Sequence, residues 1–300
     1  MLIYAVKRLS VAILVALTVS LLTFSMIYLS GDPAMALAGE AATQADIENI
    51  RRVYGYDQPI YVQYFDWLGN ALKGNLGQSH YLNSPVSEVI FTRLPVTMIL
   101  GASALSFGLL LAIPLGVLAA MRPNTLIDRF ALGLAVIGQA LPSFWFALIM
   151  IFFFGVALRW LPITGSDSWL NFVMPSIALG YYITPAVMRL TRAGMIEVLS
   201  SDYIRTARAK GLRPSIVLFK HALRNAIIPV VSLAAVQFGF MLGGSIVIET
   251  IFAINGLGQL AWESILRADL PMMQAIVLVL SCFYIILTLV ADILNAFLDP

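Results

Sequence analysis

Six stretches of the chain run uncharged and apolar for twenty residues or more, broken by short polar or basic segments. They are approximately Leu9–Leu29, Leu94–Met121, Phe130–Leu158, Trp169–Met188, Asn225–Ile248 and Leu270–Ala291. A hydrocarbon core about 30 Å thick needs about 20 apolar residues in a helix to cross it. Unpaired backbone groups are too costly there for any open structure, so the pattern predicts six transmembrane helices and an all-α integral membrane protein. Prolines at 114, 142, 175, 185 and 229 predict kinks within a packed bundle. Gly239 and Gly243 form a small-xxx-small pair that lets helices approach closely.

Between the first two runs lies a polar segment, residues 31–93, patterned as a small helical cap. Thr43 and Asp46 are spaced as a capping box, followed by Ile47, Ile50 and Tyr54 at helical spacing and then by Gly55. Asp57-Gln58-Pro59 opens a second helix with Ile60, Tyr64, Trp67, Leu68 and Leu72 on its apolar face, ending at Gly74. The division is therefore an N-terminal transmembrane helix (1–30), the cap (31–93) and a membrane core (94–300) containing a long basic loop at 193–225. The first run is longer than the 7–15 residue core of a signal peptide, so it is expected to stay as a helix.

Composition supports the membrane reading. Of 300 residues, 60% are hydrophobic and 11% charged, against about 25% charged in soluble domains; mean hydropathy is +0.89. With the N-terminus inside, 12 of the 18 Lys and Arg fall on one side, which places both termini in the cytoplasm and the cap outside. A net charge of +2 gives no sign of a nucleic-acid partner. Cys282 is the single cysteine, and neither His80 nor His221 sits at metal-ligand spacing, so no metal or cofactor is expected. No GxxxxGK[ST] phosphate loop, G-x-S-x-G or H-E-x-x-H motif occurs, which speaks against an enzyme. The apolar runs hold almost no carboxylates, with Glu249 at one end of the fifth and Asp292 near the end of the sixth. That counts against an ion-coupled secondary transporter, which places ionisable groups mid-membrane. Gln139, Ser143 and Gln237 are read as interhelical hydrogen-bonders or pathway liners, and Arg93 as an interfacial anchor or part of a pathway mouth.

The basic loop carries most of the chemistry. Ser200, Ser201 or Asp202 caps a short helix through Tyr203, Arg205, Thr206, Ala207, Arg208, Ala209 and Lys210. Gly211 stops it, and beyond Leu212 and Arg213 a second helix begins at Pro214. Ala207 and Ala209 give a low-relief surface set in positive charge. Such a loop serves either as a solvated face near anionic headgroups or as a docking element for a soluble partner.

The segment SDYIRTARAKGL, followed by HALRNAIIP, resembles the coupling loop of ABC-importer permeases in the dipeptide, oligopeptide, glutathione and nickel branch. Here Arg205, Thr206 and Ala207 stand where the family has an acidic-Ala-Ala triplet, and Gly211 follows at the family's spacing. Gly31-Asp32-Pro33-Ala34, Tyr54 to Pro59, Gly74 to Ser79 and Glu249 to Phe252 with Gly256-Leu257-Gly258 are similar to the same branch. Asn75 replaces its usual aspartate and Asn255 its usual proline, while Leu161 to Gly165 and Asp167-Ser168-Trp169 look closest to glutathione and peptide members. The resemblance implies a type I importer permease in the bacterial inner membrane, translocating peptides or glutathione, with nickel complexes as the alternative. It implies four kinds of partner: a second homologous permease, two cytoplasmic ATP-binding subunits, a periplasmic solute-binding protein and membrane lipid. Residues 202–213 would dock an ATPase, and Glu249, Gly256, Leu257 and Gly258 would form a periplasmic gate, unless Glu249 serves only as a helix cap at the outer surface.

Overall fold

The computed structural model describes residues 2–29, 31–39 and 42–298, and among these it is helical with no strand beyond an isolated bridge between Gln78 and Pro85. Glu40, one of the acids expected outside, and the side chain of Gln139 lie outside the described residues. The helices are α1 (Leu2–Leu29), α2 (Pro33–Ala38), α3 (Gln44–Val53), α4 (Ile60–Leu72), α5 (Val86–Met121), α6 (Leu126–Ala140) and α7 (Ser143–Met150). There follow α8 (Leu170–Gly180), α9 (Thr184–Leu199), α10 (Asp202–Ala209), α11 (Arg224–Ala226), α12 (Ile228–Ile251), α13 (Leu257–Leu266) and α14 (Leu270–Leu298).

Among the described residues five helices are long and apolar enough to cross a membrane: Val6–Ser25, Val86–Met121, Leu170–Leu199, Ile228–Ile251 and Leu270–Ile293. Each overlaps most of one of the expected runs. The fourth extends well past its apolar core, because α8 and α9 are joined by a single 3-10 turn at Tyr181–Ile183. The expected third crossing differs. It is broken at Leu141-Pro142 into α6 and the 15-residue unit Ser143–Ala157, whose second half is π-helical. At 1.5 Å per residue each piece spans only about 22 Å. Proline disfavours helical backbone in the residue before it, and Leu141 is extended at φ −87°, ψ 124°. The Tyr181 hydroxyl donates to the Leu141 carbonyl, which satisfies an acceptor that the break leaves open.

The long α5 is the spine, packed against α8 and α9, while α14 packs against α12 and α1. Glycine sets the closest approaches. A Cβ at Gly180 would lie 2.2 Å from the Ala104 carbonyl oxygen, and one at Gly116 would lie 2.7 Å from that of Met188. Gly239 carries α12 onto the Tyr284 ring of α14, whereas Gly243, its expected companion, faces open space.

The cap forms much as its sequence pattern indicates. Thr43 and Asp46 close the capping box on α3, and Gly55 and Gly74 turn at φ +72° and +82°. In α4, Tyr64 and Trp67 pack on Phe24 of α1, but Ile60 and Leu72 stay exposed, Leu72 at 82%. The pattern did not announce α2, which Asp32 caps by accepting from the Ala34 N–H with Pro33 in the first turn.

Candidate functional site

Residues 202–213 lie at the end of the fold where α5 finishes. Ser201 takes the extended N-cap conformation of α10, and the helix stops in a Schellman pattern. Gly211 N–H donates to Arg208 O at 3.0 Å and Leu212 N–H to Ala207 O at 3.4 Å, with Gly211 at φ +73°. That left-handed conformation is open to glycine without steric penalty. The chain re-enters helix at Pro214 and continues as the π-helical turn Ile216–Leu223.

The two faces of α10 differ sharply. Ile204 is fully buried and Ala207 7% exposed, in a cluster with Val117 and Ala120 of α5, Met195 of α9, and Val217, Ala222 and Ala226. Ala207, expected on the low-relief outer surface, therefore faces inward. The spacing of 204 and 207 puts the two apolar side chains on one stripe among charged neighbours. Asp202, Tyr203, Arg205, Thr206, Arg208, Ala209, Lys210, Gly211, Leu212 and Arg213 are exposed. Tyr203 accepts a hydrogen bond from Asn225 Nδ2 at 2.8 Å, tying the outer face to α11 where the loop returns. The outcome is a rigid, basic knob with an apolar root.

A pair not singled out in the sequence braces this end. Arg192 of α9 donates from Nε and Nη2 to the two carboxylate oxygens of Asp128, at 2.6 and 2.7 Å. Asn124 N–H adds a third bond at 2.8 Å. Asp128 precedes the apolar part of α6, and the Arg192 hydrogen bonds hold its carboxyl below the ordinary carboxylate range. Its side chain is 3% exposed, covered largely by the groups that bind it.

At the other end, Glu249, Gly256, Leu257 and Gly258 come together, joined by Thr97 of α5. The Thr97 hydroxyl donates to Glu249 Oε1 at 2.8 Å and accepts from Leu257 N–H at 2.7 Å. Gln259 N–H donates to Glu249 Oε2 at 2.9 Å. Glu249 and Leu257 are fully buried. A Cβ at Gly256 would meet Glu249 Oε2 at 2.4 Å, and one at Gly258 would meet it at 2.9 Å. The glycines are thus the space the carboxylate occupies, and Glu249 links α12, α5 and α13. Nearby, Asp269 accepts from the Ser79 hydroxyl and from His80 N–H, and Arg267 lies 4.5 Å over the Tyr81 ring. These contacts fasten the cap to the α13–α14 corner. Burial pushes the His80 pKa down. Arg93, expected at an interface, lies 3.9 Å from Glu263.

Long apolar helices gathered on α5, with a packed basic helix–glycine–helix knob at one end, define a multi-pass membrane protein. Comparison with known proteins places it. The model of the binding-protein-dependent transport system inner membrane component matches residues 112–300, and the N-terminal model of such membrane components matches residues 1–101. The chain belongs to this family of ABC importer permeases. Among its relatives, the glutathione transport system permease protein GsiC of Escherichia coli O6:H1 is 41% identical over 301 residues, covering 100% of this chain and 98% of that protein. GsiC of Pectobacterium atrosepticum is also 41% identical with the same coverage. A chain of the MetNI methionine ABC transporter, crystallised in an inward-facing conformation, shares the fold. Its TM-score is 0.59 at 19% identity, covering 71% of this chain and 97% of that one. The type I importer permease fold is thereby shown.

Proposed function

We propose that this chain is one of two permease subunits of an importer that carries short peptides or glutathione across the bacterial inner membrane. Energy comes from ATP hydrolysed by two cytoplasmic partner subunits, and a periplasmic solute-binding protein delivers the substrate. The single observation that carries the reading is the two-faced α10: an apolar root (Ile204, Ala207) set into α5 and α9, and a basic exposed crown. A crown this rigid suits docking, because displacement of it must move the helices in which it is rooted. The residues of the crown are Tyr203, Arg205, Thr206, Arg208, Ala209, Lys210 and Arg213. The excess of Lys and Arg at this end supports a cytoplasmic orientation of the loop and both termini. With α6 and Ser143–Ala157 making one broken crossing, six crossings bring the termini to the same side. The two GsiC relatives are named for glutathione, which supports a peptide-like substrate. Glu249 with its glycines is the candidate gate at the far end.

The test is reconstitution of the chain with its partner subunits in proteoliposomes, with ATP-dependent uptake of glutathione, dipeptides and a sugar measured side by side. Cysteine at Thr206 or Ala209, with Cys282 replaced first, is expected to crosslink to an ATP-binding subunit. Uptake of the sugar alone would overturn the substrate class. Absence of crosslinks from both positions in a transporting complex would overturn the docking role.

A further inference from the structure

The cap and the start of α14 line an open cavity of about 710 Å³ that the permease reading leaves without a role. Its size falls in the roughly 300–1,000 Å³ range of small-molecule sites. Tyr54 and Tyr56 line one part of it, stacked with ring centroids 6.0 Å apart and planes 16° from parallel. Trp67 of α4 lines another. Arg52 and Asp66, both exposed, bring opposite charges to the same cavity. Gln274 of α14 also lines it, with 6% of its surface exposed, and its Nε2 has no hydrogen-bond acceptor among the described residues.

A buried amide donor without a partner is unfavourable, and a small rotation of the Gln274 side chain toward the cavity would let its Nε2 meet an acceptor that arrives from outside the chain. An alkyl chain would leave Gln274, Arg52 and Asp66 unused. A neutral sugar would use the rings and the amide, but not the two opposed charges. A short zwitterionic peptide uses all of them: amide planes against the tyrosine and tryptophan faces, a carboxylate for Arg52, an ammonium for Asp66 and a carbonyl for Gln274. Burial holds the Tyr56 phenol pKa up at about 12, so it remains a neutral hydrogen-bonding group at working pH. We propose that the cavity between the cap and α14 binds a peptide of two or three residues directly, giving the permease a substrate site of its own outside the membrane. This rests on the outward orientation and the peptide substrate class given under Proposed function, and it deepens them.

The experiment is calorimetric titration of the purified full-length chain in lipid nanodiscs with triglycine and reduced glutathione, and with maltose and glycine as controls. Saturable binding of the peptides is expected. Gln274→Leu and Asp66→Asn are each expected to weaken it about 10-fold; Asp66 is exposed, so its variant tests the site without disturbing the fold. No saturable binding of either peptide, equal binding of maltose, or unchanged binding in both variants overturns the site. Uptake by the reconstituted complex, run in parallel, separates the two claims. Peptide uptake without peptide binding to the isolated chain removes this site alone, while binding that persists when peptide uptake fails upholds the site and removes the substrate reading.

Discussion

The Asp128–Arg192 pair should be worth more than an ordinary ion pair, and its geometry allows the worth to be estimated. Exposed pairs contribute about 0–1 kcal/mol. This one is two-pronged, at 2.6 and 2.7 Å, with the carboxylate 3% exposed and the guanidinium side chain 23% exposed. Hydrogen bonds to charged groups are worth about 1.5–3 kcal/mol each. Removing one partner of a fully buried pair costs about 3–5 kcal/mol. Asp128 sits near the periphery and keeps the Asn124 N–H when Arg192 is lost, so the lower end applies, about 2–3 kcal/mol for Arg192→Leu. Replacing both residues together removes the stranded charge, so Asp128→Leu with Arg192→Leu should cost less than the sum of the single changes by about 2 kcal/mol. Unfolding of the four proteins in one detergent, followed by circular dichroism against denaturant, measures that difference. Strictly additive costs would show that the contact does not hold α6 to α9, and the reasoning from geometry would fail.

Ala207→Glu should destabilise the knob, since it pushes a carboxylate into the Ile204–Met195 cluster, whereas Ala209→Glu, on the exposed face, should leave thermal unfolding unchanged and reduce ATP-driven uptake. Equal melting losses for both would contradict the two-faced helix. Gly256→Ala meets Glu249 at 2.4 Å and should cost about 1–3 kcal/mol by overpacking, with Thr97→Val in that background adding less than it does alone; fully additive melting losses would uncouple the three elements. The lowered Asp128 pKa implies stability that is fully present above the ordinary carboxylate value near 3.9 and lost as pH falls through the lowered folded value. Asp128→Asn should therefore lose stability at neutral pH and show a shallower fall below about pH 4, read from unfolding midpoints across an acid series. Gly180→Ala sets a Cβ against the Ala104 carbonyl at 2.2 Å, a backbone atom that no rotamer change can move; uptake should fall while the crown still crosslinks to the ATP-binding subunit, and wild-type uptake in this variant would mean that close packing there is dispensable.

Period and turn chemistry made the loop legible down to its glycine, because a helix stop is local: Gly211 and Leu212 bond back to residues three and five positions earlier. The inward turn of Ala207 was legible too, in the apolar pair 204 and 207 between basic residues, but small size alone suggested a surface. Pro142 was visible as a kink and proved a full break, a difference of degree set by Leu141 going extended and by Tyr181, forty residues away, donating to the carbonyl left open. The long-range bonds left no trace in local pattern. Thr97 and Glu249 are 152 residues apart and Asp128 and Arg192 are 64 apart, and nothing in a single sequence marks which polar residue at a helix end will find which. Gly256 and Gly258 were recognisable only through family likeness, and their reason, room for the Glu249 carboxylate, is a tertiary one.

The two candidate sites share one mechanical element. Val117 and Ala120 of α5 floor the knob, and Thr97 of the same helix holds Glu249. Twenty residues of continuous helix between Thr97 and Val117 correspond to about 30 Å, about the thickness of the hydrocarbon core. Along that length α5 is locked to α8 and α9 at Gly180 and Gly116, where the backbones leave no room for a methyl group. Contacts made through backbone atoms resist sliding more than contacts through flexible side chains do. A push on the crown of α10 thus enters α5 and α9 together, and those helices must tilt as a unit or not at all. The far end is built differently. There Glu249 accepts hydrogen bonds from Thr97 of α5 and from Gln259 N–H of α13, and the Thr97 hydroxyl accepts in turn from Leu257 N–H; such bonds exchange partners at lower cost than interlocked backbones separate. The rigid part of the path therefore lies next to the proposed docking crown, and the part able to switch lies at the proposed gate, which is the order a transmitted movement requires.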